Sequence, residues 1–203
     1  MTEKDRFKNV RVRSSWFFYL VRFSWRRLFK TVWRMKVTGE EHVPKTGGFI
    51  FASNHISWYD PPVVGVSIHR PMHIMAKEEL FDIPVLGQFL KAINAFPVRR
   101  GQFDIKSIRF ALDLIGKGEG LFMFPEGTRS KDGNFGRARP GVGMLACMSQ
   151  APVVPVRVRN TDRFFRLKRI EVNIGRPVHP PKDYSKDDYL KFSEAVLEEI
   201  KKL

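Results

Sequence analysis

The run Phe49-Ile50-Phe51-Ala52-Ser53-Asn54-His55-Ile56-Ser57-Trp58-Tyr59-Asp60-Pro61-Pro62 changes character twice. Its first five residues are an apolar, strand-type stretch. The two prolines at its end suit the first turn of a helix, where a missing N–H leaves no hydrogen bond unmade. Asp60 stands before them as a candidate N-cap. His55 therefore falls just past the C-terminal end of a strand, where open α/β sheets carry their sites. Similar strand-type runs recur along the chain at 33–37, 72–76, 95–98, 121–124, 153–158 and 169–174. Between them lie helix-length segments at 61–68, 78–93 (with Pro84 disturbing its middle), 104–117, 141–150 and 186–202. This alternation predicts an α/β fold, a mainly parallel central sheet flanked by helices.

The chain of 203 residues, 43% of them hydrophobic, can bury one core of domain size. One cysteine, Cys147, precludes an intramolecular disulfide, and five histidines scattered from His42 to His179 leave no Cys-rich metal site. Such a chain needs no oxidising compartment. Lys and Arg number 36 against 21 acids, a net charge of +15. So large a charge implies an acidic partner, because self-repulsion alone only destabilises the compact state. Residues 1–36 carry +9 of it, interleaved with Trp16, Phe17, Phe18, Tyr19, Phe23, Trp25, Phe29 and Trp33.

At 100° per residue, Arg22, Arg26, Arg27, Lys30 and Arg34 share one arc, and Phe17, Val21, Trp25, Leu28 and Val32 the opposite one. The sheet domain is thus expected to be preceded by a basic amphipathic helix lying in a membrane interface. The longest uncharged stretch of this N-terminal segment, 14–21, is too short to span a bilayer. Each base near an anionic lipid surface contributes roughly 1 kcal/mol. Packing against the domain is the plainer alternative for this helix. Nucleic acid is a poor fit, since the bulky apolar groups face away from the bases. Residues 1–36 are read as a membrane-docking segment and 37–203 as the α/β domain.

The chemistry is carried by two blocks. In the first, a loop between His55 and Asp60 lets the carboxylate fold back on the imidazole. One ring nitrogen would then be fixed and the other left as a general base. An Asp committed to capping a helix would have no capacity left for that task. In the second, the apolar run 121–124 enters Pro125-Glu126-Gly127-Thr128-Arg129-Ser130, a turn with a guanidinium suited to bidentate phosphate binding. Lys77 follows the run at 72–76, and Arg99-Arg100-Gly101 follows Phe96-Pro97-Val98. In a parallel sheet all four positions end on one edge. A hydrolase using the same pair would need a nucleophile. Cys147 lies in the apolar run 144–148, which reads as a buried helix face, and no Gly-x-Ser-x-Gly elbow is present.

Taken together, His55-x4-Asp60, Ala95-Phe96-Pro97-Val98-Arg99-Arg100-Gly101, Phe124-Pro125-Glu126-Gly127-Thr128-Arg129-Ser130 and Val153-Val154-Pro155-Val156 resemble, in that order, the four motifs of the glycerolipid acyltransferase family. The likeness is nearest to bacterial 1-acyl-sn-glycerol-3-phosphate (lysophosphatidate) acyltransferases. One departure is Asn94, where the family often has Gly. The resemblance implies that His55 is the general base on an acceptor hydroxyl and that Asp60 orients it. It implies that Arg129, with Arg100 and Lys77, holds the acceptor phosphate, while Glu126, Gly127 and Thr128 shape that loop. It further implies acyl-CoA or acyl carrier protein as donor, lysophosphatidic acid as acceptor, and neither a metal nor another cofactor. Glycerol 3-phosphate, another lysophospholipid or a lyso-aminolipid are alternative acceptors. The expected location is the cytoplasmic face of the cell membrane, peripherally bound to anionic lipid. Backbone N–H groups near Lys77 or Gly127 are the candidate oxyanion donors.

Overall fold

A computed structural model describes Phe7 and residues 16–99, 104–130 and 132–203. Arg100 and the bases before Trp16 lie outside the described residues. Strands β1 (Lys36–Thr38), β2 (Phe49–Ser53), β3 (Met72–Lys77), β4 (Ala95–Val98), β5 (Gly120–Met123), β6 (Val153–Arg159) and β7 (Glu171–Ile174) form one sheet in the order β1-β7-β6-β2-β5-β3-β4. Every pairing is parallel except β6 with β7. β2 is buried along its whole length, as its unbroken apolar run requires of a central parallel strand.

Helices α1 (Trp16–Val32), α2 (Asp60–Ser67), α3 (Leu86–Ala92), α4 (Ile105–Gly116), α5 (Gly141–Ser149) and α6 (Lys186–Lys202) cover the sheet. The pleat sends Phe49 and Phe51 into one layer with Phe29, Val63 and Val64. Ile50 and Ala52 enter the other, with Ala111, Leu145 and Val196.

Two expected elements are redrawn. The helix expected over 78–93 divides into a 3-10 turn at Glu78–Phe81 and the short α3. Between them lie Pro84, which cannot continue a helix, and Val85 at φ +67°. β1 starts three residues later than the apolar run at 33–37, because Arg34 turns through φ +48° and Trp33 is drawn against Phe164. Asn94, at φ +61°, occupies a left-handed position immediately before β4. Asparagine tolerates that conformation better than other non-glycine residues, which explains how it replaces Gly there.

Helix α1 is oriented differently from the two opposed faces read in the sequence. Phe29 is fully buried in the core, and Trp33 donates from Nε1 to the Phe164 carbonyl at 2.8 Å. Arg26 pairs with Glu40 at 2.6 Å, and Arg22 donates to the His69 carbonyl at 2.9 Å. Burial lowers the Arg22 pKa to about 10, with neighbouring Arg26 adding to the effect. Part of the basic arc thus faces the domain. Val21, Trp25, Leu28 and Val32 remain about 40% exposed. No helix among the described residues is long and apolar enough to cross a membrane.

Candidate active site

His55 lies two residues past the end of β2, and its imidazole stacks on Phe124 just past β5 (centroids 3.8 Å apart, planes at 12°). Asn54, one residue before it, makes a two-sided clamp on β6. Its Nδ2 donates to the Val158 carbonyl at 2.9 Å and its Oδ1 accepts from the Val158 N–H at 2.8 Å. The backbone of His55 is tied to the second block as well. Its carbonyl accepts from the Ser130 N–H at 2.8 Å, and its N–H donates to Glu126 Oε1 at 3.4 Å.

Asp60 folds back on the ring, with Nδ1 2.9 Å from Oδ2. A carboxylate only accepts, so Nδ1 is the donor of this bond, and in the neutral ring the lone pair falls to Nε2. The side chain of Asp60 has no exposure and that of His55 only 9%. The expected N-cap role for Asp60 is corrected: Tyr59 takes the cap position and Asp60 is the first residue of α2. The next two residues are prolines with no N–H to cap, which frees the carboxylate to turn backwards. Oδ2 also accepts from the N–H groups of Ile56 and Ser57, both at 2.7 Å. Oδ1 accepts from the hydroxyl of Thr161.

In the second block Glu126 is buried, and its Oε2 accepts from the Gly136 N–H at 2.7 Å. This carboxylate bolts the His55 loop to the segment before α5. Gly127 turns at φ +69°, and its N–H closes the turn on the Phe124 carbonyl at 3.0 Å. That N–H is therefore committed. Thr128 and Arg129 are exposed. The Arg129 guanidinium lies 4.7 Å above the Trp58 ring, a cation–π contact that holds it beside the His55 loop. Trp58 itself is 65% exposed, so it is not a core residue.

The parallel register brings the ends of β2, β5, β3 and β4 to one edge of the sheet, Ala52 opposite Met123 and Lys77 opposite Val98. Lys77 shares that edge but pairs with Glu79 at 3.1 Å, and Arg99 with Glu78 at 2.6 Å. Lys77 stands on the second strand from β2, with β5 between them. Cys147 is fully buried on α5, and burial pushes its thiol pKa up, which suits an inert core position.

Asn54 and Thr161 are the participants that motif reading misses. The parallel pairing of Ser53 with Val156 carries the chain beyond β6 to the level of the residues after β2. Only the strand order reveals that neighbourhood.

The Acyltransferase family model matches residues 34–159. The chain is 35% identical over 177 residues to the 1-acyl-sn-glycerol-3-phosphate acyltransferase of Bacillus subtilis, covering 83% of this chain and 87% of that relative. It is 30% identical over 149 residues to the protein of the same name from Borreliella burgdorferi, covering 70% and 58% respectively. Among solved structures, the 1-acyl-sn-glycerophosphate (LPA) acyltransferase PlsC of Thermotoga maritima superposes with a TM-score of 0.72 at 25% identity. That match covers 97% of this chain and 85% of the other.

Proposed function

Because this chain belongs to the acyltransferase family, we propose that it moves a fatty acyl group from an acyl thioester to the free sn-2 hydroxyl of 1-acyl-sn-glycerol 3-phosphate, giving phosphatidic acid. The observation that carries this reading is the buried His55–Asp60 pair, in which the carboxylate fixes Nδ1 and leaves Nε2 free to take a proton. In the reaction Nε2 removes the hydroxyl proton as the oxygen attacks the thioester carbonyl. The tetrahedral intermediate then expels the thiolate, breaking the C–S bond, and the thiolate recovers the proton from the imidazolium. A positioned base contributes about 10²–10⁴-fold to such a step.

Arg129, exposed and steered by Trp58, is the anchor for the acceptor phosphate, with Lys77 as a further cation at the same edge. Arg100, which lies outside the described residues, keeps only the role that the resemblance implies. The Gly127 N–H is engaged with the Phe124 carbonyl, so the neighbouring N–H groups of Thr128 and Arg129, beside those near Lys77, are the candidates to meet a developing oxyanion. The donor thioester is carried on coenzyme A or acyl carrier protein, both acidic and suited to a chain of charge +15. The apolar stripe of α1, left uncovered by the domain, is read as resting in the bilayer interface at the cytoplasmic face, so that the enzyme is peripheral.

The test is a product assay with one radiolabelled acyl thioester and several acceptors: lysophosphatidate, glycerol 3-phosphate, lysophosphatidylcholine and a lyso-aminolipid. Labelled phosphatidic acid from the wild type, and about 10²–10⁴-fold slower formation by His55→Ala, is the expected result. Transfer confined to a different acceptor overturns the substrate assignment, and undiminished transfer by His55→Ala overturns the mechanism.

A further inference from the structure

We propose that Thr161, which lies beyond the matched span 34–159, is a positioning residue for acyl transfer, its hydroxyl locking the Asp60 carboxylate that orients His55. This rests on the reading of His55 as the base.

The two oxygens of Asp60 are served unequally. Among the described residues, Oδ2 takes three N–H donors from its own loop, whereas Oδ1 takes only the Thr161 hydroxyl, from a residue 101 positions away. Both residues are fully buried, so no solvent replaces that donor. A buried carboxylate oxygen left without a donor is costly. With one oxygen held from the loop and the other from the far side, the carboxylate plane cannot rotate away from the ring.

The segment presenting Thr161 is itself fastened. Asn160 enters it at φ +68° and donates from Nδ2 to the Arg169 carbonyl at 2.8 Å. Phe164 is sandwiched, stacking on Tyr59 at 3.7 Å and on Trp33 at 4.2 Å. Tyr59 is the residue before Asp60, so the same turn grips the carboxylate and its neighbour. Threonine, stiff at χ1, presents its hydroxyl in few orientations. That hydroxyl is not spent on its own turn, because Asn160 holds the cap position and no side-chain bond caps it.

If the hydroxyl is removed, the carboxylate either pulls harder on the imidazole proton or takes up a proton of its own. In both cases productive base catalysis is confined to higher pH. The experiment compares Thr161→Val, Thr161→Ala and Thr161→Ser with wild type, reading kcat, the acceptor KM and the pH profile of kcat/KM. For Val and Ala we expect kcat to fall on the order of tenfold or more with acceptor KM within about twofold. The acid limb of the profile should move to higher pH, and Ser should restore both rate and limb.

A merely structural role predicts lower thermal stability with an unmoved limb, and that result overturns the proposal. So does a Val variant with wild-type rate and profile. If Val fails to fold, the Ala and Ser pair carries the same comparison, since Ala leaves space rather than a clash. Absence of transfer by the wild-type chain contradicts the underlying function, whereas an active wild type with indifferent Thr161 variants contradicts only this inference.

Discussion

Asp60 accepts from four donors among the described residues, because the two prolines after it have no N–H to cap. Pro61 and Pro62 start α2 without N–H groups, so the carboxylate serves the preceding loop and the histidine. Replacing His55 by Ala leaves that carboxylate with its remaining donors, so the fold should survive while kcat falls about 10²–10⁴-fold. Steady-state kinetics beside a thermal melt would check this, and an unfolded variant would mean that the ring is chiefly packing on Phe124. Arg129 belongs to a different step. Exposed and stacked on Trp58, it can be removed at little structural cost. We expect Arg129→Ala to raise the acceptor KM about tenfold with kcat within a few-fold. Arg129→Lys should recover only part of this, because a lysine keeps the charge but loses the planar fork and the stacking. Equal KM values for Lys and Arg would show that charge alone matters.

The elements differ in how plainly the sequence announces them. β2 to β6 could be located from apolar runs between turn residues, because strands of a parallel sheet covered on both faces demand such runs, whereas the runs at 33–37 and 169–174 only overlap the partly exposed β1 and the alternating β7. Asn94 marked a special backbone position through its departure from Gly, and its φ of +61° supplies the reason. The division of the segment 78–93 follows from Pro84, but the left-handed turn at Val85 has no signature in a β-branched residue. Thr161 was invisible for another cause: its partner is 101 residues away, and only the adjacency of β6 to β2 joins them.

Helix α1 shows both the reach and the limit of periodicity. Val21, Trp25, Leu28 and Val32 of the expected apolar stripe stay partly exposed, but pattern alone does not foresee that Phe29, Arg22 and Arg26 form the side that packs. If the uncovered stripe meets lipid, changing Trp25 and Leu28 together to Ser should weaken co-sedimentation with anionic vesicles severalfold and leave the melting temperature nearly unchanged. Phe29→Ala should instead cost about 3–5 kcal/mol of stability, since that ring has no exposure and packs on Trp25, Trp33 and Phe164. Vesicle binding unaffected by the double change would remove the lipid role from this helix.

At the level of the whole molecule, burying both faces of a parallel sheet has a consequence for acid stability. β3 stands between β5 and β4, so His73, paired in register with Leu121, is 1% exposed. Neither ring nitrogen finds a hydrogen-bond partner in good geometry among the described residues. Burial lowers its pKa from 6.5 to about 4, with the Asn94 backbone opposing. The unfolded chain therefore binds a proton that the folded chain refuses between about pH 6.5 and 4. Stability contributed by the neutral ring is complete above the upper value, is lost as the pH falls through that window, and levels off below it. The shift corresponds to about 3 kcal/mol. Urea unfolding at pH 7 and pH 4.5 should show a smaller loss for His73→Leu than for wild type, because leucine has no proton to take up while the carboxylates titrate alike in both. Parallel losses in the two proteins would mean that the ring reaches water or a partner in the folded state, and that acid sensitivity resides in the surface carboxylates instead.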